Sequence, residues 1–337
     1  MNIRDIARLA NVTPGTVSKV LNNYPDISEA TRQHVLRIID ENQYDPGTNS
    51  RASKSGGGAA QIGLVVEGVH NSLYSSLEEM LSIRLHNSGY TMLSFHDNYY
   101  IQDKQEKFQE LTAYLEKHKL SGLIYIGGNF ECVGQQQFSL LPCPAIFVNT
   151  VLPLHIDHTS YSSVQVNHFE TAYAQMNYLI EKGHENICTI ISSTIDNSVY
   201  GLRVRGYRAA LNEHHLEHNF ENILESDYRC AKAYRSLSDH LRRHPEITAV
   251  CCVADIIAPA ITRAIHDLGK VPGKDIAIIS FDGIEAMNYC TPSITTFEQP
   301  LTELVEHTYN LLSGLMSKER EHQHITFQTR LIKNESC

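Results

Sequence analysis

Two kinds of hydrophobic spacing divide the chain near residue 60. Up to residue 41 the apolar positions recur every three or four residues. Ile3, Ile6, Ala7, Leu9 and Ala10 share one face, Val17, Val20 and Leu21 a second, and Ala30, Val35, Ile38 and Ile39 a third. This spacing predicts three short amphipathic helices. Asn2 fits the N-cap of the first, with Asp5 three residues on as its capping-box partner. After the break at Asn11–Gly15, Thr13 fits the cap of the second helix and Pro14 its first turn, where no backbone N–H is needed. Ser28 caps the third, and Pro46 and Gly47 stop it. Thr16, Ser18, Lys19 and Asn22 line the polar face of the second helix. This is the layout of a helix-turn-helix, whose second helix enters the DNA major groove.

From Gln61 the texture changes. Strand-like apolar runs at 61–66, 90–95, 121–127 and 144–150 flank helical patterns at 73–88 and 102–118. A second series has strands at 186–192, 222–226, 248–254 and 275–282, with helices near 200–215, 230–244 and 256–268. Continuous apolar strands with helices between them predict parallel sheets covered on both faces. Two series predict two doubly wound lobes. A helix at 300–318 and a strand at 324–332 cross back to complete them. The expected division is a helical head at 1–47, a linker at 48–60 and a two-lobed body at 61–337. Its first lobe takes about 61–161 and 300–323, its second about 162–292 and 324–333.

The totals narrow the function. With 337 residues, 42% of them hydrophobic, the chain has material for several domains and an ample core. No apolar run approaches the ~20 residues of a membrane span, and the start is an amphipathic helix rather than a signal peptide. A cytoplasmic protein is expected, with no membrane partner. The eight cysteines form no C-x-x-C pair, so buried reduced thiols are expected. Eighteen histidines include the cluster His214, His215 and His218, but within it only His214 and His218 have i, i+4 spacing and no H-E-x-x-H motif is present, so a solvated face is favoured over a metal site. No nucleophile elbow, Walker loop or Rossmann glycine fingerprint is present, which disfavours an enzyme, and no cofactor is expected. The net charge is -10, yet residues 1–54 carry seven Lys or Arg against six Asp or Glu. Phosphate contacts dominate DNA affinity, so one weakly basic head binds feebly and two heads on a dimer are expected to be needed.

The wording of the head is more specific than its periodicity. Ile3, Asp5, Ile6, Ala7, Ala10, Val12, Thr13, Thr16, Val17, Ser18, Lys19, Leu21 and Asn22 resemble the opening of the LacI/GalR family of bacterial transcription regulators. The resemblance continues more thinly over almost the whole chain. It implies an all-α helix-turn-helix head followed by an α/β two-lobed doubly wound core, periplasmic-binding-protein-like of type I, with a ligand between the lobes. It implies that Thr13, Pro14, Gly15, Thr16, Ser18, Lys19 and Asn22 face DNA. The family's two base-reading positions are here Pro14 and Gly15, which offer no side-chain donors, so base readout shifts towards Lys19. The family linker becomes a hinge helix that wedges a Leu into the minor groove. Here Arg51 is matched but Ser53 stands at the Leu position, which predicts a weaker kink or another wedge such as Ala52.

The resemblance also implies cleft residues, since ligands bind beyond the carboxyl ends of strands in such sheets. Asn71 and Tyr74 follow the first strand; Tyr74 reads equally as packing that closes the lobe. Arg203-Val-Arg-Gly-Tyr207 places Arg203 at the cleft, where a guanidinium fork suits a diol, carboxylate or phosphate. Tyr228 stands where an aromatic lines the cleft, and Asp282 would accept from ligand hydroxyls or pair with Arg203. Two departures weaken the case for a standard sugar effector. Ala254-Asp255 replaces Asn-Asp, with Asp255 read as a helix cap, and Asn167-His168 replaces Asp-Asn. The expected partners are operator DNA, a second copy of the chain and a small, sugar-like effector. Repressor is favoured over activator, and control by a protein partner is the alternative.

Overall fold

The computed structural model describes residues 3–21, 27–41, 60–67, 72–96, 103–153, 159–191, 199–216 and 219–337. The expectations for Asn2, Asn22, Arg51, Ser53, Asn71, His218 and the linker lie outside those residues.

The head is formed by α1 (Ile3–Leu9), α2 (Pro14–Leu21) and α3 (Glu29–Glu41). Ile6, Ala7, Ala10, Val17, Val20 and Val35 make its core, and Val12, Ile27, Ile38 and Ile39 pack against them. Leu9 and Ala30 were expected inside and are exposed. At 3.6 residues per turn, the buried arc of α1 runs from Ile6 through Ala10 to Ala7, and Leu9 falls on the other side of Ile6. Ala30 lies across α3 from Val35.

The core runs β1 (Gln61–Val66), α4 (Ser72–His86), β2 (Thr91–His96), α5 (Lys104–His118), β3 (Gly122–Ile126), α6 (Gln135–Ser139), β4 (Ala145–Val148) and β5 (Ser162–Val166). It continues with α7 (His168–Glu181), β6 (Ile187–Ile191), α8 (Val199–Glu213), β7 (Ile223–Glu225), α9 (Cys230–Arg243), β8 (Ala249–Cys252), α10 (Ala258–Asp267) and β9 (Ala277–Asp282). β10 (Thr295–Glu298), α11 (Leu301–Met316), β11 (His324–Phe327) and β12 (Arg330–Ile332) follow. One sheet has the order β11-β5-β4-β3-β1-β2 and the other β12-β10-β9-β8-β6-β7. Each is doubly wound, with the parallel pairings expected of strands joined by helices.

The division between lobes differs from the expectation. β5 and β11 were assigned to the second lobe, but they pair with each other and, through β4, join the first sheet. The stretch 324–332 is two strands: β11 ends at Phe327, and β12 pairs antiparallel with β10 in the second sheet. The chain therefore passes between the sheets at 166–168, 298–301 and 327–330. The first lobe packs an aromatic core that includes Phe108, Tyr125, Phe130, Phe138, Phe147 and Tyr161. The second packs aliphatic side chains with Cys188 and Cys252. Cys251 is also buried, whereas Cys132 and Cys230 are exposed, against the expectation of buried thiols. Among the described residues no helix is long and apolar enough to cross a membrane.

Candidate functional site

The head presents its polar residues through a capped turn. Asn11 takes the left-handed conformation at φ 53°, and the Val12 N–H returns to the Ala7 carbonyl at 2.9 Å, ending α1. The Thr13 hydroxyl accepts the Thr16 N–H at 3.1 Å and meets the Thr16 hydroxyl at 2.9 Å. Ser28 and Thr31 repeat this arrangement at the start of α3. Both caps satisfy donors that a helix leaves open at its N-terminus. Thr13, Pro14, Gly15 and Lys19 are exposed and Thr16 is half-buried, while Val17 and Val20 face the core. Ser18 lies on α2 between them. Among the described residues a Cβ added to Gly15 would meet only the Thr13 hydroxyl, at 3.7 Å. The fold therefore does not require glycine there.

In the core, four of the expected cleft residues converge. Arg203, near the start of α8, is 3% exposed and lies with its guanidinium carbon 3.7 Å from the centre of the Phe281 ring. Its Nη1 donates to the Val253 carbonyl, just beyond β8. Its Nη2 and Nε lie 3.2 and 3.4 Å from Nδ1 of His168, the first residue of α7. The His168 ring also stacks on Phe281, at 5.9 Å. Burial, with Arg203 beside it, holds the His168 pKa well below 6.5. The ring is therefore neutral, and since Nδ1 accepts from Arg203 its proton is on Nε2. That buried Nε2 has no hydrogen-bond partner among the described residues.

Asp282 ends β9 with φ 121° and is buried. Burial pushes its carboxyl up to about 8, although Arg203 pulls the other way; the Asp255 charge adds to the rise. Tyr74 comes from the first lobe, on α4, and is also buried. Burial raises its phenol, Arg203 opposes that rise, and Asp282 and Glu67 add to it, so the ring stands within electrostatic reach of both second-lobe charges. Gly127 and Gly128, at φ 79° and 75°, make room beside it. A Cβ on Gly127 would lie 2.8 Å from Tyr74 Cε2 and 2.3 Å from the Glu67 carbonyl. Glu67 is itself held by the Tyr125 hydroxyl at 2.8 Å and by buried Lys107 at 2.8 Å.

Other residues fall differently. Tyr228, in the left-handed region at φ 56°, packs against the second-lobe core. Asp255 is not a helix cap: Ala254 holds the cap position of the turn that Asp255 opens. The buried Asp255 carboxylate instead accepts the N–H groups of Gly283 and Ile284 at 2.7 and 2.8 Å and the Thr296 hydroxyl at 2.8 Å. It thereby clamps the loop that follows Asp282. Burial raises its pKa to about 6, and these donors restrain the rise. Asn167 caps α7 through the Glu170 N–H at 3.1 Å. Sequence reasoning missed Phe281 as the platform for Arg203 and His168. It also missed Asn149 and Gln299, a buried amide pair described below. The polar cavity of about 450 Å³ between α8 and β6 holds Arg208 and Glu246 and lies apart from this set. Among the described residues no cluster of three His, Cys, Asp or Glu is placed to hold a metal.

A helix-turn-helix head followed by a doubly wound two-lobed core is the architecture of a transcription regulator with a DNA-binding and a ligand-binding domain, and the comparisons with known proteins agree. Residues 2–47 match the model of bacterial regulatory proteins of the lacI family, and residues 176–337 that of the periplasmic binding protein-like domain. The HTH-type transcriptional regulator MalR of Clostridium butyricum is 32% identical over 339 residues, covering 100% of this chain and 99% of that protein. The HTH-type transcriptional repressor PurR of Aliivibrio salmonicida is 28% identical, covering 97% and 95%. The chain belongs to the LacI family of transcription regulators. Among solved structures, the transcriptional regulator CelR–cellobiose complex superposes with TM-score 0.69 at 22% identity, covering 100% of both chains. The Lac repressor dimer bound to operator and the anti-inducer ONPF gives 0.69 at 20% identity, covering 100% and 98%. Those two show the fold.

Proposed function

We propose that this regulator is a cytoplasmic repressor that binds a two-fold symmetric operator as a homodimer. A small, sugar-like effector in the cleft between its lobes sets its grip on DNA. In this reading Thr13, Thr16 and Ser18 hold phosphates, which position the head. Lys19, and Asn22 beyond the described end of α2, reach base edges, while Pro14 and Gly15 allow close approach. Arg51 and Ser53 lie in the hinge, where Ser53 gives a weaker wedge than Leu.

The observation that carries the effector reading is the convergence of Tyr74, His168, Arg203 and Asp282, with the His168 Nε2–H buried and without a partner among the described residues. A buried donor without an acceptor costs ~1–3 kcal/mol. A ligand hydroxyl or ring oxygen satisfies it, while Asp282 accepts from a neighbouring hydroxyl. Asn71 is assigned to the same site from its position in the sequence. Tyr228, which packs against the second-lobe core, is assigned to it as an aromatic lining the cleft. The cellobiose named in the CelR structure is in keeping with a sugar.

Thermal unfolding in the presence of sugars, sugar phosphates and nucleosides tests this. A ligand at 100 times its Kd stabilises by about 2.7 kcal/mol. The expected outcome is a rise in Tm with a sugar, abolished in Arg203→Met and Asp282→Asn. A rise that persists in both variants would place the ligand elsewhere, and a response to nucleosides alone would replace the sugar.

A further inference from the structure

Beyond the cleft residues, Asp282 ends one branch of a chain of buried amides that crosses from lobe to lobe. Gln299 Nε2 donates to Asp282 Oδ1 at 2.9 Å, and the Gln299 backbone N–H donates to the Asp282 carbonyl at 3.0 Å. Gln299 Oε1 in turn accepts from Asn149 Nδ2 at 2.9 Å. Asn149 Oδ1 accepts the backbone N–H of Val166 at 3.1 Å. Asn149, Val166, Asp282 and Gln299 are each at most 3% exposed. We infer that Asn149 and Gln299 are positioning residues that transmit the state of Asp282, free or engaged by a ligand, to the first crossover between the lobes.

Three features support this. The chain has one polarity. Each amide uses its oxygen towards Val166 and its nitrogen towards Asp282, or the reverse would set donor against donor. Its members sit where the lobes join. Val166, the last residue of β5, opens the crossover at 166–168, and Gln299 lies inside the crossover at 298–301. Asn149 follows β4 of the first lobe with φ 47°, and Asp282 ends β9 of the second with φ 121°; both are conformations that side chains other than glycine rarely adopt. Buried polar networks are sensitive to any partner that withdraws. When an Asp282 oxygen turns to a ligand donor or takes a proton, Gln299 loses part of its acceptor, and the change is passed to Asn149 and Val166. The groups that face Asp282 are Arg203 from α8, Asp255 from the turn after β8 and Tyr74 from α4, with His168 behind Arg203. Burial already raises the Asp282 carboxyl to about 8, so its charge is easily changed near neutrality.

The consequence for regulation rests on Asp282 being an effector contact, but its test needs no effector. Full-length protein labelled with 15N-valine gives a Val166 amide resonance, assigned by its loss in Val166→Ile. Asp282→Asn is expected to displace that resonance. In a Gln299→Leu background the same substitution is expected to leave it in place, while valines beside Arg203, such as Val253, still respond. Asn149→Asp keeps the acceptor for Val166 and removes the donor to Gln299, so it provides a second background with the same expectation. The inference is overturned if Asp282→Asn leaves Val166 unmoved, or moves it equally in both backgrounds. Failure of the ligand panel with a positive result here would leave the relay standing without a sugar.

Discussion

Asp282 and His168 answer pH in opposite senses. A free aspartate titrates near 3.9, whereas burial lifts Asp282 to about 8. The native state therefore holds this proton longer than the unfolded chain does. The contribution of Asp282 to stability is full below about pH 4 and is lost as pH rises through 8. His168 is held well below 6.5, so its contribution is full above about pH 6.5 and is lost as pH falls. Unfolding midpoints measured from pH 5 to 9 should lose part of their alkaline decline in Asp282→Asn. In His168→Gln, the loss of stability relative to pH 7 on the acid side should shrink. Parallel curves for wild type and variants would contradict both assignments. Gly15 makes a second prediction at this scale. It is exposed on α2 with space for a Cβ, and glycine in a helix costs roughly 0.5–1 kcal/mol relative to alanine. Gly15→Ala should raise the stability of the head and weaken DNA binding, because the added methyl occupies the approach to the groove. A gain in both would show that Gly15 does not face DNA.

At the scale of elements, caps and turns were the most legible features. Thr13-Pro14 and Ser28 open α2 and α3 where local hydrogen bonding dictates, and Thr13→Ala should cost about 1 kcal/mol in a thermal melt of the head. The continuous strands β1, β3, β6 and β9 were legible because both their faces are buried. The pattern of α7 was obscured by the polar residues it buries, His168, Thr171 and Gln175. β10 was hidden for a related reason. Thr295 and Thr296 are buried but bound to Asn334, Ser336 and Asp255, so the strand reads as a polar loop. The assignment of β5 and β11 to a lobe depends on pairing across crossovers, which local periodicity does not encode. That Tyr74, Arg203 and Asp282 lie near strand ends was legible in the sequence, but the approach of Phe281 to Arg203 and the Asn149–Gln299 pair depend on tertiary contacts. Gly127 illustrates that dependence. Gly127→Ala should destabilise the core and displace Tyr74, because a Cβ would lie 2.3 Å from the Glu67 carbonyl. An unchanged melting midpoint would mean that the loop at Glu67 gives way freely.

The whole chain is acidic, with net charge -10, while residues 1–54 carry seven Lys or Arg against six Asp or Glu. In the proposed homodimer, affinity for DNA depends on phosphate contacts from two heads and falls with salt. Coupling between effector and operator sites is typically ~1–3 kcal/mol and reciprocal, so whatever the cleft binds should alter operator affinity by the factor by which operator alters its own. The measurement that bears most directly on this account is selection of duplexes from a random pool by the full-length protein, followed by a salt titration of the winners. The account predicts one two-fold symmetric sequence, bound with an affinity that falls steeply with salt, and weakened in Lys19→Ala by roughly the 1–3 kcal/mol of a base contact. A pool that converges on no symmetric sequence, or winners that bind equally well to Lys19→Ala and at any salt, would contradict it.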